Sequence, residues 1–150
     1  MNKYDEGVIY GIILESLKEK TLFIDKNKVE NIVLAGATFI KRELEEKYEI
    51  YCQSGPSLEG IVLREKDPAR YLEPIVNQIE NKIDSNAQQK ICYGAFVTVY
   101  KTANPDSLKA VSLEGLKNCA LYVEPVLNAL GLYHNEEGLK TYFNNNRGHF

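Results

Sequence analysis

Two segments of the chain carry nearly the same arrangement of Tyr, Glu, Pro and Asn. Residues 71–79 read Tyr-Leu-Glu-Pro-Ile-Val-Asn-Gln-Ile, and residues 122–130 read Tyr-Val-Glu-Pro-Val-Leu-Asn-Ala-Leu. A carboxylate can act as a general base, while Tyr hydroxyls and Asn amides can hydrogen-bond a ligand. If both copies face one groove or one symmetric contact surface, the candidate binding residues are Tyr71, Glu73, Asn77, Tyr122, Glu124 and Asn128.

The similarity extends upstream, because Ser-Leu-Glu-Gly occurs at 57–60 and again at 112–115. Pro74 and Pro125 have no backbone N–H, so each must stand near a helix start or kink a helix. Two copies are fewer than the three or more repeats of a stable solenoid. We call the similarity between residues 71–79 and 122–130 the echo. A pair of helices packed across one core therefore explains the echo better than a solenoid does. The simpler interpretation is two helix starts of similar local structure, and a shared groove is the functional alternative.

A second candidate site lies where a helix is expected to begin with Asp67 as N-cap and Pro68 as its first residue. Arg64 and Arg70 flank this start and could contact an anionic ligand, since a helix N-terminus favours negative charge. Asp67 competes for the same backbone amides.

Sequence motifs for other chemistry are missing. The glycine-containing stretch 55–60 is followed by Ile-Val, where a phosphate-binding loop requires Lys and Ser or Thr. Cys52, Cys92 and Cys119 are far apart, and no closely spaced acidic cluster or His-rich motif occurs. A Cys–His pair would have to be assembled from distant residues. We therefore expect no metal and no cofactor, and the sequence favours a protein that is not an enzyme.

Composition narrows the class of protein. The 150 residues include 18 Lys and Arg against 21 Asp and Glu, without a basic cluster, which argues against nucleic acid as a partner. No apolar stretch approaches the roughly 20 residues that span a bilayer. The odd number of cysteines and the lack of a secretory signal predict a cytoplasmic protein. Average hydrophobic and charged content predicts one globular domain over residues 1–150.

Apolar periodicity predicts most of the helices. Gly7 and Gly11 lie on one face of the first of these, which we interpret as close packing against a neighbour, and Gly36 in the second allows a close approach. The first predicted helix covers residues 4–20, the second runs from an Asn27 cap to about Lys47, and the third begins at Asp67. A fourth runs from the turn at 104–106 to Leu130, with Gly131 as C-cap, and a fifth covers 136–143. The tail at 144–150 is expected to fray.

Two regions instead favour strands. Apolar and polar residues alternate from Tyr48 to Gln53, and residues 60–64 read as a returning strand or as a short helix that begins at Ser57. Residues 89–101 fit either a strand or a helix, and the β-branched run at 97–99 favours the strand. The predicted fold is α+β, mainly helical, with a small antiparallel sheet from residues 48–64 and 90–100. An all-α helical bundle is the alternative.

These features predict a non-catalytic small binding or adaptor protein. It would act through a protein interface or an enclosed apolar pocket, with a protein partner or a small apolar or anionic ligand, and homo-oligomer formation is compatible with its tyrosine content. The alternatives are a small metal-independent enzyme that uses Glu73 or Glu124 in a cleft, and an inhibitor or immunity protein.

Overall fold

The computed structural model describes residues 6–20, 25–53, 55–105 and 112–145. In those ranges the chain forms helices and no strand. The helices are α1 (Val8–Lys18), α2 (Lys26–Tyr48), α3 (Leu58–Arg64), α4 (Ala69–Lys82), α5 (Ser85–Ala103), α6 (Leu113–Cys119), α7 (Glu124–Leu130) and α8 (Glu136–Asn145), with a 3-10 turn at Ala120–Tyr122. The predicted α+β fold is therefore wrong, and the all-α alternative is confirmed.

The first predicted strand, 48–53, consists of the last residue of α2 and the irregular residues that follow it. Glu49 adopts a left-handed conformation with φ of 55°, and this residue ends the helix after Tyr48. The N–H of Ile50 then donates to the carbonyl of Leu44 at 3.0 Å, which buries the Ile50 side chain. A left-handed helix end is commonly followed by such an apolar contact. The alternation from Tyr48 to Gln53 therefore reflects a helix end and not a pleated strand.

The second half of the predicted sheet consists of α3 and α5. The Ser57 hydroxyl accepts a hydrogen bond from the Gly60 N–H at 3.4 Å and caps α3, as the helical alternative for this stretch predicted. Asp84 caps α5 in the same way, by accepting from the Ala87 N–H at 2.8 Å. Thr98 is accommodated in α5 because its hydroxyl donates to the Gly94 carbonyl at 2.8 Å.

Several predicted helix ends also need correction. Asp25, not Asn27, caps α2, since its carboxylate accepts from the N–H groups of Asn27 and Lys28. Pro68 is helical at the start of α4, which has no side-chain cap, so Asp67 does not fill that role. The helix expected to reach Leu130 is broken into α6, the 3-10 turn and α7.

The remaining predicted ends can be compared only in part. Gly131 has a φ of 74° and is the C-cap of α7, as predicted. α8 continues to Asn145, two residues past the predicted end at 143. The first residues predicted for the N-terminal helix, 4–5, and most of the predicted tail, 146–150, lie outside the described residues.

α2 and α5 form the central helix pair, and each has a glycine where the other helix approaches. A Cβ atom at Gly36 would lie 2.9 Å from the Cγ1 of Val99, and one at Gly94 would lie 2.3 Å from the Cζ of Phe39. Both distances are shorter than a carbon–carbon contact allows. The close approach predicted for Gly36 is therefore confirmed, and Gly94 plays the reciprocal part.

The echoed segments occupy comparable places around this central pair. Like Ser57, Ser112 caps a seven-residue helix, by accepting from the Gly115 N–H at 2.9 Å. α3 packs on α2 and α6 packs on α5, while α4 and α7 contact each other. One buried hydrophobic cluster contains residues from all eight helices named above.

Candidate functional site

The six echoed side chains lie in different surroundings. Tyr71 packs on the turn at Gly55, where a Cβ atom would lie 2.6 Å from the Tyr71 ring. Tyr122 is half-buried at the end of the 3-10 turn, and the Glu124 carboxylate lies 3.9 Å from His134. The side chains of three others are exposed, namely Glu73, Asn77 and Asn128. No hydrogen bond or ion pair within the described residues joins the first copy to the second.

The two prolines explain why the copies diverge. Pro74 lies inside α4, five residues after its start, whereas Pro125 is the second residue of α7. Tyr71 is therefore on a continuous helix, while Tyr122 precedes a helix start and projects from the 3-10 turn. The packing of α4 on α7 agrees with the paired-helix interpretation, and a groove shared by both copies stays a prediction without a contact to support it.

The basic residues near the start of α4 are engaged within the protein. The Arg64 guanidinium forms an ion pair with Glu30 and donates to the Leu63 carbonyl. Arg70 stacks over the Tyr71 ring, 5.4 Å from its centroid. An anion contact by Arg64 would require the ion pair to Glu30 to be shared or broken.

A larger groove lies elsewhere, where the end of α1, the start of α2 and the end of α5 meet α6 and the 3-10 turn. It is open along one side and has a volume of about 620 Å³, within the range typical of small-molecule sites. The residues that line it are Leu17, Lys20, Lys28, Ile32, Ala103, Asn104, Lys117, Asn118, Cys119, Leu121 and Tyr122.

The floor of the larger groove is apolar and has no reactive side chain among its described residues. Leu17, Ile32 and Cys119 are buried. Burial raises the pKa of the Cys119 thiol, so this thiol is protonated at neutral pH and is a poor nucleophile. Burial also raises the pKa of Tyr122, with a smaller contribution from Cys119. The groove therefore offers apolar contact area and no acid–base pair.

The rim of the larger groove is positively charged. Lys20 and Lys28 make no ion pair within the described residues, whereas Lys117 pairs with Glu136. That hydrogen bond lowers the pKa of Glu136, whose side chain is exposed, and raises the pKa of the half-buried Lys117. The first amides of α2 are already bonded to the Asp25 carboxylate. An anion in this groove would therefore be held by the Lys20 and Lys28 ammonium groups.

A smaller groove of about 420 Å³ runs along the outward side of α2 beside α5. Leu34 remains exposed in it, and Phe39 is half-buried. Arg42 is exposed at one end and makes no ion pair within the described residues. The residues that line this groove are Asn31, Leu34, Ala35, Thr38, Phe39, Arg42 and Thr98.

One carboxylate–imidazole pair lies outside the linings of both grooves. Glu124 Oε1 is 3.9 Å from His134 Nε2, and the imidazole packs edge-on against Phe96 with 4.8 Å between ring centroids. His134 Nδ1 is buried without a hydrogen-bond partner. Neither residue faces a described groove that could hold a substrate.

Sequence reasoning identified one residue of the larger groove, Tyr122, and missed its lysines. Lys20, just after α1, and Lys28, near the start of α2, are far in sequence from Lys117 of α6. They line the same groove only because these elements converge. The echo could not reveal this site, because the first copy has no counterpart of the 3-10 turn.

The structure also bears on metal binding and on membrane crossing. Among the described ranges, no group of three His, Cys, Asp or Glu side chains is placed to hold a metal ion. None of the helices in the described part of the chain is long and apolar enough to cross a bilayer. Comparison of the chain with protein-family models, curated proteins and solved structures gave no match. Function is therefore inferred from the geometry of this chain's own grooves.

Proposed function

We propose that the protein binds a small molecule with an apolar body and an anionic head in the larger groove, and that it is not itself a catalyst. The observation that carries the proposal is the pairing of an apolar floor with two lysines, Lys20 and Lys28, that have no ion-pair partner in the described residues. The proposal keeps the small anionic ligand predicted from the sequence and places it in an open groove.

The chemistry of the groove supports this ligand class. Burial of an apolar ligand body against Leu17, Ile32 and the Leu121 side chain contributes about 25 cal/mol per Å² removed from water. A charge-assisted hydrogen bond from Lys20 or Lys28 to a carboxylate or phosphate is about twice as strong as a neutral one. An uncharged apolar molecule would gain only the first contribution.

Polar groups at the same site would orient the ligand head. The side-chain amide of Asn104 already donates to the Tyr100 carbonyl at 3.0 Å, which fixes that side chain at the end of α5. Asn118 is exposed in the lining. The two asparagines and the lysines form a polar edge above the apolar floor, an arrangement typical of small-molecule sites.

Isothermal titration calorimetry with three probes of equal chain length tests the proposal. The probes are dodecanoate, dodecan-1-ol and dodecyltrimethylammonium, with the two ions below their micelle concentrations and the alcohol below its solubility limit. We expect dodecanoate to bind at least about tenfold more tightly than the alcohol, because only the carboxylate gains charged hydrogen bonds. The cationic probe should bind most weakly. Equal affinities for all three would contradict the proposal.

A matched pair of variants assigns the binding to the groove. Lys28→Gln removes one rim charge and should weaken dodecanoate binding about tenfold while it leaves the alcohol unaffected. Lys90→Gln removes the same charge from an exposed position of α5 outside the groove lining and should change neither affinity. An equal loss of dodecanoate affinity in both variants would show a general charge effect and would contradict the assignment of the ligand to the larger groove.

A further inference from the structure

The outward face of α1 has two exposed apolar side chains, and its acidic residue, Glu15, forms an ion pair at 3.6 Å with Lys18 of the same helix. Val8 and Ile12 are one helical turn apart and are 46% and 50% exposed, and Glu15 follows on the same face. Spacing of i, i+4 and i+7 is the spacing by which a helix docks into a groove. We call Val8, Gly11, Ile12 and Glu15 the α1 face.

Gly11 lies at the centre of the α1 face, where the contacts between described residues do not require a glycine. A Cβ atom there would meet no atom of those residues within 4 Å, whereas one at Gly7 would lie 2.9 Å from the backbone of Arg64 and Glu65. Glycine inside a helix lowers helix stability relative to alanine. The close packing predicted for both glycines thus holds within the chain for Gly7 alone. A close approach from outside would account for Gly11.

The smaller groove is complementary to the α1 face. Its apolar part contains the exposed Leu34 and the half-buried Phe39, and Arg42 stands at its end without an ion pair in the described residues. Leu34 and Arg42 are eight residues apart, or about 12 Å along a helix, and Val8 and Glu15 span about 10 Å. The apolar side chains of the α1 face can therefore contact Leu34 and Phe39 of the smaller groove while Glu15 lies beside Arg42.

We propose that the α1 face of one copy of this chain docks into the smaller groove of a second copy, parallel to α2, with a Glu15–Arg42 ion pair across the contact. The two surfaces differ, so the contact is heterologous: after one contact, one copy still has a free groove and the other still has a free α1 face. Association therefore continues until a ring closes, or it remains open-ended. This inference is independent of the ligand proposed for the larger groove.

Charge reversal tests the docking in the full chain. Light scattering and sedimentation velocity over a concentration series should show mass that rises with concentration. Arg42→Glu alone and Glu15→Arg alone should each weaken association about tenfold or more, since close charge pairs across interfaces couple strongly. The variant that carries both changes should recover association to within about threefold of the unmodified chain. Lys90→Glu, outside both surfaces, should leave association unchanged.

Gly11→Ala provides a second readout. It should raise the melting temperature, because alanine favours the helix and the added methyl meets open space. The same methyl should weaken association several-fold, because it separates the docked helices. A chain that is monomeric at every concentration, or a charge-reversed pair that fails to recover association, would overturn the docking. Symmetric association of two α1 faces, unaffected by Arg42→Glu, would overturn it as well.

Discussion

The two grooves are both bounded by α2 and α5, yet they differ in charge and in the elements that close them. The larger groove has Lys20, Lys28 and Lys117 around an apolar floor. The smaller groove is lined mainly by one outward face of α2, with Arg42 as its single charge. A compact site with several positive charges suits a small anion, while a shallow helical face with one charge suits another helix.

The difference follows from how many chain segments converge. Five segments meet at the larger groove, so its lining combines side chains from distant parts of the sequence. At the smaller groove Thr98 of α5 joins a run of residues from α2 alone. Where several segments meet, the groove is deeper and side chains of like charge can lie near one another. A single helix face instead presents a row of evenly spaced side chains.

The largest effect should come from reversal of both free lysines in the larger groove. The Lys20→Glu, Lys28→Glu double variant places two negative charges where the ligand head binds, and we expect dodecanoate affinity to fall by about 100-fold or more. Titration calorimetry measures the loss. Self-association should be unchanged, because neither lysine lies in the smaller groove. Unchanged dodecanoate affinity in the double variant would contradict the assignment of the anionic ligand to the larger groove.

A change at the wall of the smaller groove should affect stability instead. Gly94→Ala places a Cβ atom against the Phe39 ring, so Phe39 must move, and we expect the free energy of unfolding to fall by about 1–3 kcal/mol. Gly11→Ala is the matched control and should raise it by up to about 1 kcal/mol. Urea denaturation measures both. Equal destabilisation by the two variants would contradict the distinction between a packed and an open glycine.

Alkaline pH should weaken the contact between α1 and the start of α2. The Tyr10 hydroxyl donates to the Lys26 carbonyl at 3.1 Å and joins α1 to the start of α2, and burial raises its pKa from 10.0 to about 12. The unfolded chain therefore loses this proton first, so stability that is complete below pH 10 is lost as the pH rises towards 12.

Substitution of Tyr10 isolates this contribution. In Tyr10→Phe the free energy of unfolding should fall less steeply over the same pH window, and circular dichroism during urea titration measures the slope. Part of the decrease should persist, because burial also raises the pKa of Tyr93 to about 12. An unchanged slope in Tyr10→Phe would show that the phenol does not titrate with folding.

The smallest effect concerns thiol labelling. Because burial raises the pKa of Cys119, alkylation at pH 8 should be slow and should accelerate at higher pH as the thiolate forms. Dodecanoate should protect Cys119 a few-fold further, while the already slow labelling of Cys92, whose pKa is about 12, should not change. Peptide mass spectrometry measures each site. Unprotected Cys119 would place the ligand away from the groove floor.

Local patterns were sufficient to predict part of the fold. Apolar periodicity predicted α1, α2, α4 and α8, because each has one buried and one exposed face. α5 was missed because its buried face is broad and includes Ile91, Cys92, Tyr93, Ala95, Phe96 and Val99, which hides the helical period. The signal that could have revealed this helix is Asp84, whose carboxylate accepts from the Ala87 N–H and caps α5, but it was not used in the prediction.

The candidate sites show where sequence reasoning stops. The echo predicted a pair of helices packed together, and α4 and α7 are in contact. The helix start at Ser57 was one of two alternatives, and the cap at Ser112 was not predicted. The echo did not mark the larger groove, whose lysines come from three separate segments. No local rule predicts that Lys20 and Lys28 face the same space as Tyr122, since that depends on how α1 packs beside the 3-10 turn.

The most direct test of the ligand proposal is to map bound dodecanoate by NMR. In a titration of the ¹⁵N-labelled chain, we expect the largest amide shifts at Ile32, Lys117 and Leu121 around the larger groove. The amides of Leu34 and Thr98 in the smaller groove should stay within the range of the rest of the chain. Shifts centred on the smaller groove, or spread evenly over the helices, would contradict the assignment of ligand binding to the larger groove.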